Sequence, residues 1–201
     1  TMLRNTAPEI LDGMQRLVIL RSSGSDHSDD HRTEGSVPLE ELTASGSAVT
    51  DDELARRREA ISPEDTSDLL FTSGTTGAPK GVIQTHASSL RAFADWADLV
   101  GLRSDDRYLV INPFFHTFGY KAGILAGLIT GCTLVPLPTF DVDRAAEVIV
   151  AEGISMIPGP PTLYQTLLNH PGFDPDAVDT LRLAVTGAAA VPVALVEAMR
   201  D

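Results

Sequence analysis

From Asp68 onward the chain alternates short apolar runs with longer segments that are apolar on one helical face. The runs Leu69–Thr72, Arg107–Asn112, Cys132–Leu137, Ser155–Ile157 and Leu181–Thr186 read as strands. The segments Ala87–Val100, Phe118–Thr130, Val142–Glu152, Pro161–Asn169 and Pro192–Arg200 read as helices. Asp141 suits the cap of a helix that stops at Gly153, and Pro192 suits a first helical turn. Phe118–Thr130 is apolar almost all round, which predicts a buried helix. Strands alternating with helices predict the α/β class: a mainly parallel sheet flanked by helices. Ligands of such sheets sit outside the carboxyl ends of the strands, so the loops that follow them carry the chemistry.

Before Asp68 the pattern is uneven. Arg16–Leu20 reads as a strand and Asp51–Ala60 as a charged surface helix. The Ser/Gly/Asp/Glu-rich stretch Ser22–Ser47, broken only by Val37-Pro38-Leu39, has little to bury and is expected to be a long, mobile surface excursion. Residues 1–67 are therefore a variable, loop-rich part, and 68–201 the α/β core.

Composition narrows the partners. At 201 residues and 43% hydrophobic, the chain is enough for one domain with a substantial core. A net charge of −13 argues against nucleic acid or anionic membrane as partner. No apolar stretch reaches the ~18 residues of a membrane span, and residues 1–5 lack a signal-peptide core. The single cysteine, Cys132, excludes an internal disulfide framework and reads as a small buried residue in a reducing, cytoplasmic setting. His27 and His31, with Asp29 and Asp30 between them, mimic metal-ligand spacing. Their polar, turn-rich surroundings favour a solvated loop over a zinc site.

The chemically dense stretch is Thr72-Ser73-Gly74-Thr75-Thr76-Gly77-Ala78-Pro79-Lys80-Gly81. Glycines let the main chain approach a ligand closely, and successive N–H groups form a concave anion site. Ser73, Thr75 and Thr76 add hydroxyl donors, and Lys80 adds one full positive charge. A polyphosphate fits, so ATP is the first ligand to consider. The spacing is not that of a Walker loop, since glycine rather than Ser/Thr follows Lys80. A flexible surface turn accounts for the glycines but not for the lysine after a proline.

Residues 72–81 closely resemble the phosphate loop of the adenylate-forming superfamily, which includes acyl-CoA synthetases, luciferases and peptide-synthetase adenylation domains. The resemblance implies that this chain is part of the large N-terminal domain of such an enzyme. It places Thr72, Ser73, Gly74, Thr75, Thr76, Gly77 and Lys80 around the ATP phosphates. A second loop, Asn112-Pro113-Phe114-Phe115-His116-Thr117-Phe118-Gly119-Tyr120, resembles the Pro-x-x-His-x-x-Gly stretch beside the acyl substrate. By that resemblance His116 lies near the carboxylate, with Phe115 and Phe118 as pocket walls. The loop has no aspartate to pair with an α-ammonium, so an acid without an amino group is preferred. A third loop, Val185–Pro192, resembles the Gly-Ala-rich segment that contacts adenine and the acyl carbonyl; Gly187, Ala188 and Ala189 carry that expectation. Pro158-Gly159-Pro160-Pro161-Thr162 is expected to be structural, with a substrate contact open.

The implied reaction is that of a carboxylate–CoA ligase using ATP, Mg²⁺ and coenzyme A. The acid attacks the ATP α-phosphorus, releasing pyrophosphate; the CoA thiol then displaces AMP. Lys80 and His116 are the candidate catalytic residues, by charge balance and positioning rather than nucleophilic attack. Ile111–Gly123 and Pro158–Thr162 look particularly like actinobacterial ligases of steroid breakdown, which activate a propanoate on the bicyclic ring remnant. A fatty acid is the other substrate expected. Other readings are a non-catalytic nucleotide-binding module and an adenylating enzyme that loads a carrier protein. A serine hydrolase using His116 is disfavoured, since no Gly-x-Ser-x-Gly elbow occurs. The superfamily's Tyr-Gly-x-Thr-Glu segment, ribose-binding aspartate, hinge and C-terminal lysine have no match. The 201 residues are therefore expected to be the central part of a larger domain and not to turn over alone. The oligomeric state is not legible.

Overall fold

The computed structural model describes residues 13–14, 17–19, 36–72, 79–187 and 189–200. The chain divides into two units, Thr1–Ile61 and Ser62–Asp201. In the first, strand β1 (Leu17–Ile19) pairs in parallel with β2 (Ser36–Pro38). Helix α1 (Leu39–Ser45), a 3₁₀ turn (Gly46–Ala48) and helix α2 (Asp51–Glu59) follow. Thr50 caps α2 through the Glu53 N–H, and Glu53 then pairs with Arg56 and Arg57. Neither helix has a buried residue. The expected excursion over Ser22–Ser47 is corrected at its C-terminal end. Val37-Pro38-Leu39 carries enough apolar character to seed β2 and α1. The histidine pair at 27 and 31 lies outside the described residues.

The second unit is built on a four-stranded parallel sheet of order β6-β5-β7-β8. Its strands are β5 (Arg107–Val110), β6 (Thr133–Pro136), β7 (Met156–Gly159) and β8 (Leu183–Thr186). Period-two alternation deals their side chains to opposite faces. Leu109, Ile111 and Ile157 enter a cluster with Ala145, Val148, Ile149, Leu163, Leu167 and Leu195. Those six come from helices α5 (Val142–Ala151), α6 (Pro161–Leu168) and α7 (Val193–Ala198). Tyr108, Val110 and Met156 pack on the other face with Ala97, Leu102 and Ala126, on or next to α3 (His86–Val100) and α4 (Ala126–Thr130). Both faces are covered, as a parallel sheet requires.

Capping fixes the helix ends. Thr85 and Ser88 form a capping box on α3, and Asp141 accepts from the Arg144 N–H at 2.9 Å to start α5.

Two expectations are corrected. Val82-Ile83 lies in a strand, β4 (Lys80–Thr85), that pairs antiparallel with β3 (Thr66–Thr72) as a separate hairpin. The phosphate-loop stretch thus joins two paired strands rather than following a strand of the parallel sheet. Leu69, Phe71 and Ile83 share one exposed face of this hairpin. The segment Phe118–Thr130 is also not one uniform buried helix. It opens as a π-helix, Phe118–Leu125, and continues as α4. Leu128 and Ile129 on its far side are exposed.

The helix lies tightly on the sheet. A Cβ at Gly127 would stand 2.4 Å from the Leu134 Cδ2 and 2.9 Å from its Cγ. Because the obstacle is a side chain that can move, Gly127→Ala is expected to cost about 1–3 kcal/mol, read as a urea midpoint shift. Among the described residues no helix is long and apolar enough to cross a membrane.

Candidate functional site

The topology itself marks a crevice. The chain leaves β5 toward β6 on one side, then returns to form β7 on the other side of β5. The intervening helices fall on opposite faces, so the carboxyl ends of β5 and β7 form a topological switch point. The ladder between these two strands consists of the pair Tyr108–Met156. Beyond it the strands are joined by a side chain: Asn112 Nδ2 donates to the Pro158 carbonyl at 3.0 Å. Pro158 lacks an N–H, so the ladder cannot close fully and Asn112 supplies a substitute contact. Tyr164 braces the next gap, its hydroxyl reaching the carbonyls of Ile157 and Val185. Burial raises the Tyr164 phenol well above its usual value, so it stays a neutral donor.

The histidine loop emerges at this switch point. It closes on itself, with the His116 N–H donating to the Pro113 carbonyl at 3.0 Å. His116 is exposed, and its Nδ1 accepts the Phe118 N–H at 3.1 Å. In the neutral ring the proton is therefore on Nε2, which can donate to a carboxylate. Phe118 is half-buried, edge-on to Trp96 with ring centroids 6.0 Å apart. Phe115 instead projects into solvent at 89% exposure. The two phenylalanines paired as walls thus differ: Phe118 is anchored to α3, and Phe115 is unsupported.

Thr72 and Lys80 are ladder partners at the tip of the hairpin. Lys80 is exposed and makes no ion pair among the described residues, leaving its charge available to an anion. Ser73, Gly74, Thr75, Thr76, Gly77 and Ala188 lie outside the described residues. Gly187 follows β8, with open space where a Cβ would stand, and Ala189 is exposed. Beside Gly187, the Thr186 Oγ1 is buried with no hydrogen-bond partner among the described residues. The described residues hold no group of three or more His, Cys, Asp or Glu able to bind a metal.

Sequence reasoning missed a buried ionic cluster. Lys121, on the π-helix, donates to Asp68 on β3 and to Ser89 Oγ at 3.0 Å. Burial alone would raise the Asp68 carboxyl, but hydrogen bonds from Lys121, Ser67 and Tyr120 hold it below the usual carboxylate range. No local signal exposes such a pair: its members are far apart in the chain, and Lys121 sits in an otherwise apolar helix. Cys132 packs against the sheet, and burial pushes its thiol up, in keeping with a structural role.

The family of AMP-binding enzymes matches residues 7–201. The chain belongs to that family. This AMP-binding segment is 55% identical to the methyl-dioxo-octahydro-indenyl propanoyl:CoA ligase of Mycobacterium tuberculosis, over 81% of the chain and 32% of the relative. It is 46% identical to the ligase of the same name in Rhodococcus jostii, over 86% of the chain and 33% of that protein. The AMP-binding segment thus spans about a third of the length of the relatives it matches. Its fold is similar to the inhibitor-bound N-terminal domain of FACL13 from Mycobacterium tuberculosis (TM-score 0.60, 30% identity, 74% of this chain and 39% of that one). It is similar too to the o-succinylbenzoate coenzyme A synthetase of Bacillus subtilis, solved with ATP and magnesium ion (TM-score 0.62, 31% identity, 70% of this chain and 29% of that one). The expected placement in an adenylate-forming N-terminal α/β domain is borne out.

Proposed function

We propose that this AMP-binding segment is the phosphate- and acid-binding part of a cytoplasmic ATP-dependent carboxylate–CoA ligase. Its preferred acid is a propanoate on a methylated bicyclic dione, the remnant of steroid rings. The observation that carries the reading is the histidine loop at the β5/β7 switch point: the exposed His116 has its Nδ1 engaged by the Phe118 N–H, which leaves Nε2 for a ligand, and Asn112 through Gly119 contains no carboxylate. Such a loop suits a plain carboxylate and offers nothing to an α-ammonium. Two relatives named as ligases of that propanoate are the nearest support for the acid. A long-chain fatty-acid ligase of Mycobacterium tuberculosis is 35% identical over 67% of the chain, which keeps fatty acids as the second choice.

In this reading the acid's carboxylate attacks the ATP α-phosphorus and pyrophosphate leaves; CoA thiol then attacks the acyl carbon and AMP leaves. Lys80 offsets charge on the departing pyrophosphate while Thr72 offers it a hydroxyl donor, His116 orients the acid, and Gly187 and Ala189 leave room for the flat base against the backbone. The open space beside the Gly187 backbone, where a Cβ would meet nothing within 4 Å, supports that last assignment.

The test is thioester formation by the full-length protein. The panel holds the bicyclic propanoate, saturated fatty acids and amino acids, each with CoA or a carrier protein as acceptor. The propanoate with CoA should give the highest kcat/KM. Preference for an amino acid or a carrier protein would overturn the assignment, and ATP binding without any chemistry would favour a non-catalytic module. Lys80→Ala should lower the rate of acid-dependent pyrophosphate–ATP exchange by about 100-fold, since it removes one preorganised charge at the leaving group. His116→Ala should chiefly raise KM for the acid. Identical defects for ATP and acid in both variants would contradict the division of labour.

A further inference from the structure

We infer that the Lys121–Asp68 pair is a positioning device that transmits occupancy of the acid loop at His116 to the hairpin carrying Thr72 and Lys80. This rests on the ligase reading above. The two loops stand on different elements: one opens the π-helix, the other tips the β3–β4 hairpin. Lys121 lies one turn into the π-helix, and Asp68 lies on the strand that ends at Thr72. Their side chains are only 2% and 9% exposed. Ser89 on α3 accepts from Lys121 at 3.0 Å, and Ser67 donates to Asp68 at 2.6 Å. The Lys121 Nζ also stands 4.8 Å from the Tyr120 ring centroid.

Stability alone does not account for this arrangement. Two charges buried together do little that a well-packed apolar pair would not do, whereas their geometry fixes one element against another. Both neighbours of the pair are suited to two arrangements. A π-helical stretch inserted ahead of an α-helix can convert at the cost of one residue of register, and such stretches cluster at functional sites. The ladder partner of Asp68 is Gln84, whose Oε1 is buried without a hydrogen-bond partner among the described residues. An acceptor without a donor therefore stands on the strand position opposite Asp68, and a shift of Lys121 with the π-helix would bring a donor toward it. An acid that settles against His116 and Phe118 moves the start of that helix, and Lys121 carries the movement to β3.

The experiment measures coupling, not activity alone. Binding of α,β-methylene-ATP to the full-length protein is titrated with and without the bicyclic propanoate. In the wild type the acid should tighten the nucleotide by roughly 5–150-fold, the range of ordinary site–site coupling. In Lys121→Met that ratio should collapse to about 1, and Lys121→Arg should restore part of it. If Lys121→Met does not fold, the Lys121→Met/Asp68→Asn pair removes both charges and takes its place. A variant that loses melting temperature but keeps the wild-type ratio would assign the pair a purely structural role and overturn the inference. So would a wild type whose nucleotide affinity ignores the acid while pyrophosphate exchange still depends on it. Absence of acid-dependent exchange in the wild type would instead bring down the ligase reading itself.

Discussion

Gly119→Ala is expected to leave little folded protein. A Cβ at this position would stand 2.3 Å from the carbonyl oxygens of both Asn112 and Pro113. Real Cβ atoms do not approach backbone oxygens so closely, and neither carbonyl is free to retreat. The Asn112 side chain anchors that residue to Pro158, and the Pro113 carbonyl receives the His116 N–H. Relief would mean lifting the π-helix off β5 or opening the turn that presents His116. Both break packing among Val110, Ala126 and their neighbours. The cost should be at least about 4 kcal/mol, at the far end of what single substitutions do. Urea unfolding of the full-length protein, compared with Gly127→Ala, is the measurement. If the two variants cost the same, the distinction between a backbone obstacle and a movable side chain would fail.

That glycine shows what could and could not be read from the sequence. It is the last residue of the Pro-x-x-His-x-x-Gly stretch, so its importance was visible, but the reason was not. The glycine closes the loop beneath the histidine and has no contact role implied by its spacing. The strands of the parallel sheet were legible because each is short, apolar and bounded by turn residues, and β5 alternates cleanly between the two faces of the core. Strand β4 was not, since Lys80-Gly81-Val82-Ile83 begins with a charged residue and a glycine and exposes its apolar positions. Pro158 hid the end of β7, because proline inside a central strand argues against strand; only the reach of Asn112 explains why it is tolerated. The antiparallel pairing of β3 with β4 depends on a register set across the phosphate loop, which no local pattern encodes. The site divides likewise. The residue types of its three loops were legible, whereas Lys121 and Asp68 gain meaning from a pairing that only the fold reveals.

At the opposite end of the sheet from the candidate site, Asp106→Ala is expected to destabilise the protein by about 3–5 kcal/mol at neutral pH, the range for breaking a buried pair. Asp106 is 3% exposed and holds together the starts of three strands. It accepts the Arg103 N–H at 2.7 Å, the Ser155 hydroxyl at 2.6 Å just before β7, and the Arg182 guanidinium just before β8. Removing the carboxylate leaves a half-buried guanidinium and a hydroxyl without their acceptor, so the loss exceeds one hydrogen bond. Burial by itself would raise the Asp106 carboxyl, yet the donors from Arg182, Ser155 and Arg103 outweigh it and hold the group below the usual carboxylate range. A carboxyl depressed on folding contributes stability that is complete above its unfolded value near ~4 and disappears as pH falls through the folded value. The gap between wild type and Asp106→Ala should therefore be widest at neutral pH and narrow progressively below about pH 4. Taking the difference between the two proteins cancels the remaining acidic side chains of this strongly negative chain, apart from those that touch Asp106. Urea midpoints at pH 7 and pH 3 provide the comparison. A gap that stays constant would mean that the carboxylate's charge contributes nothing and that packing alone holds the strand starts together.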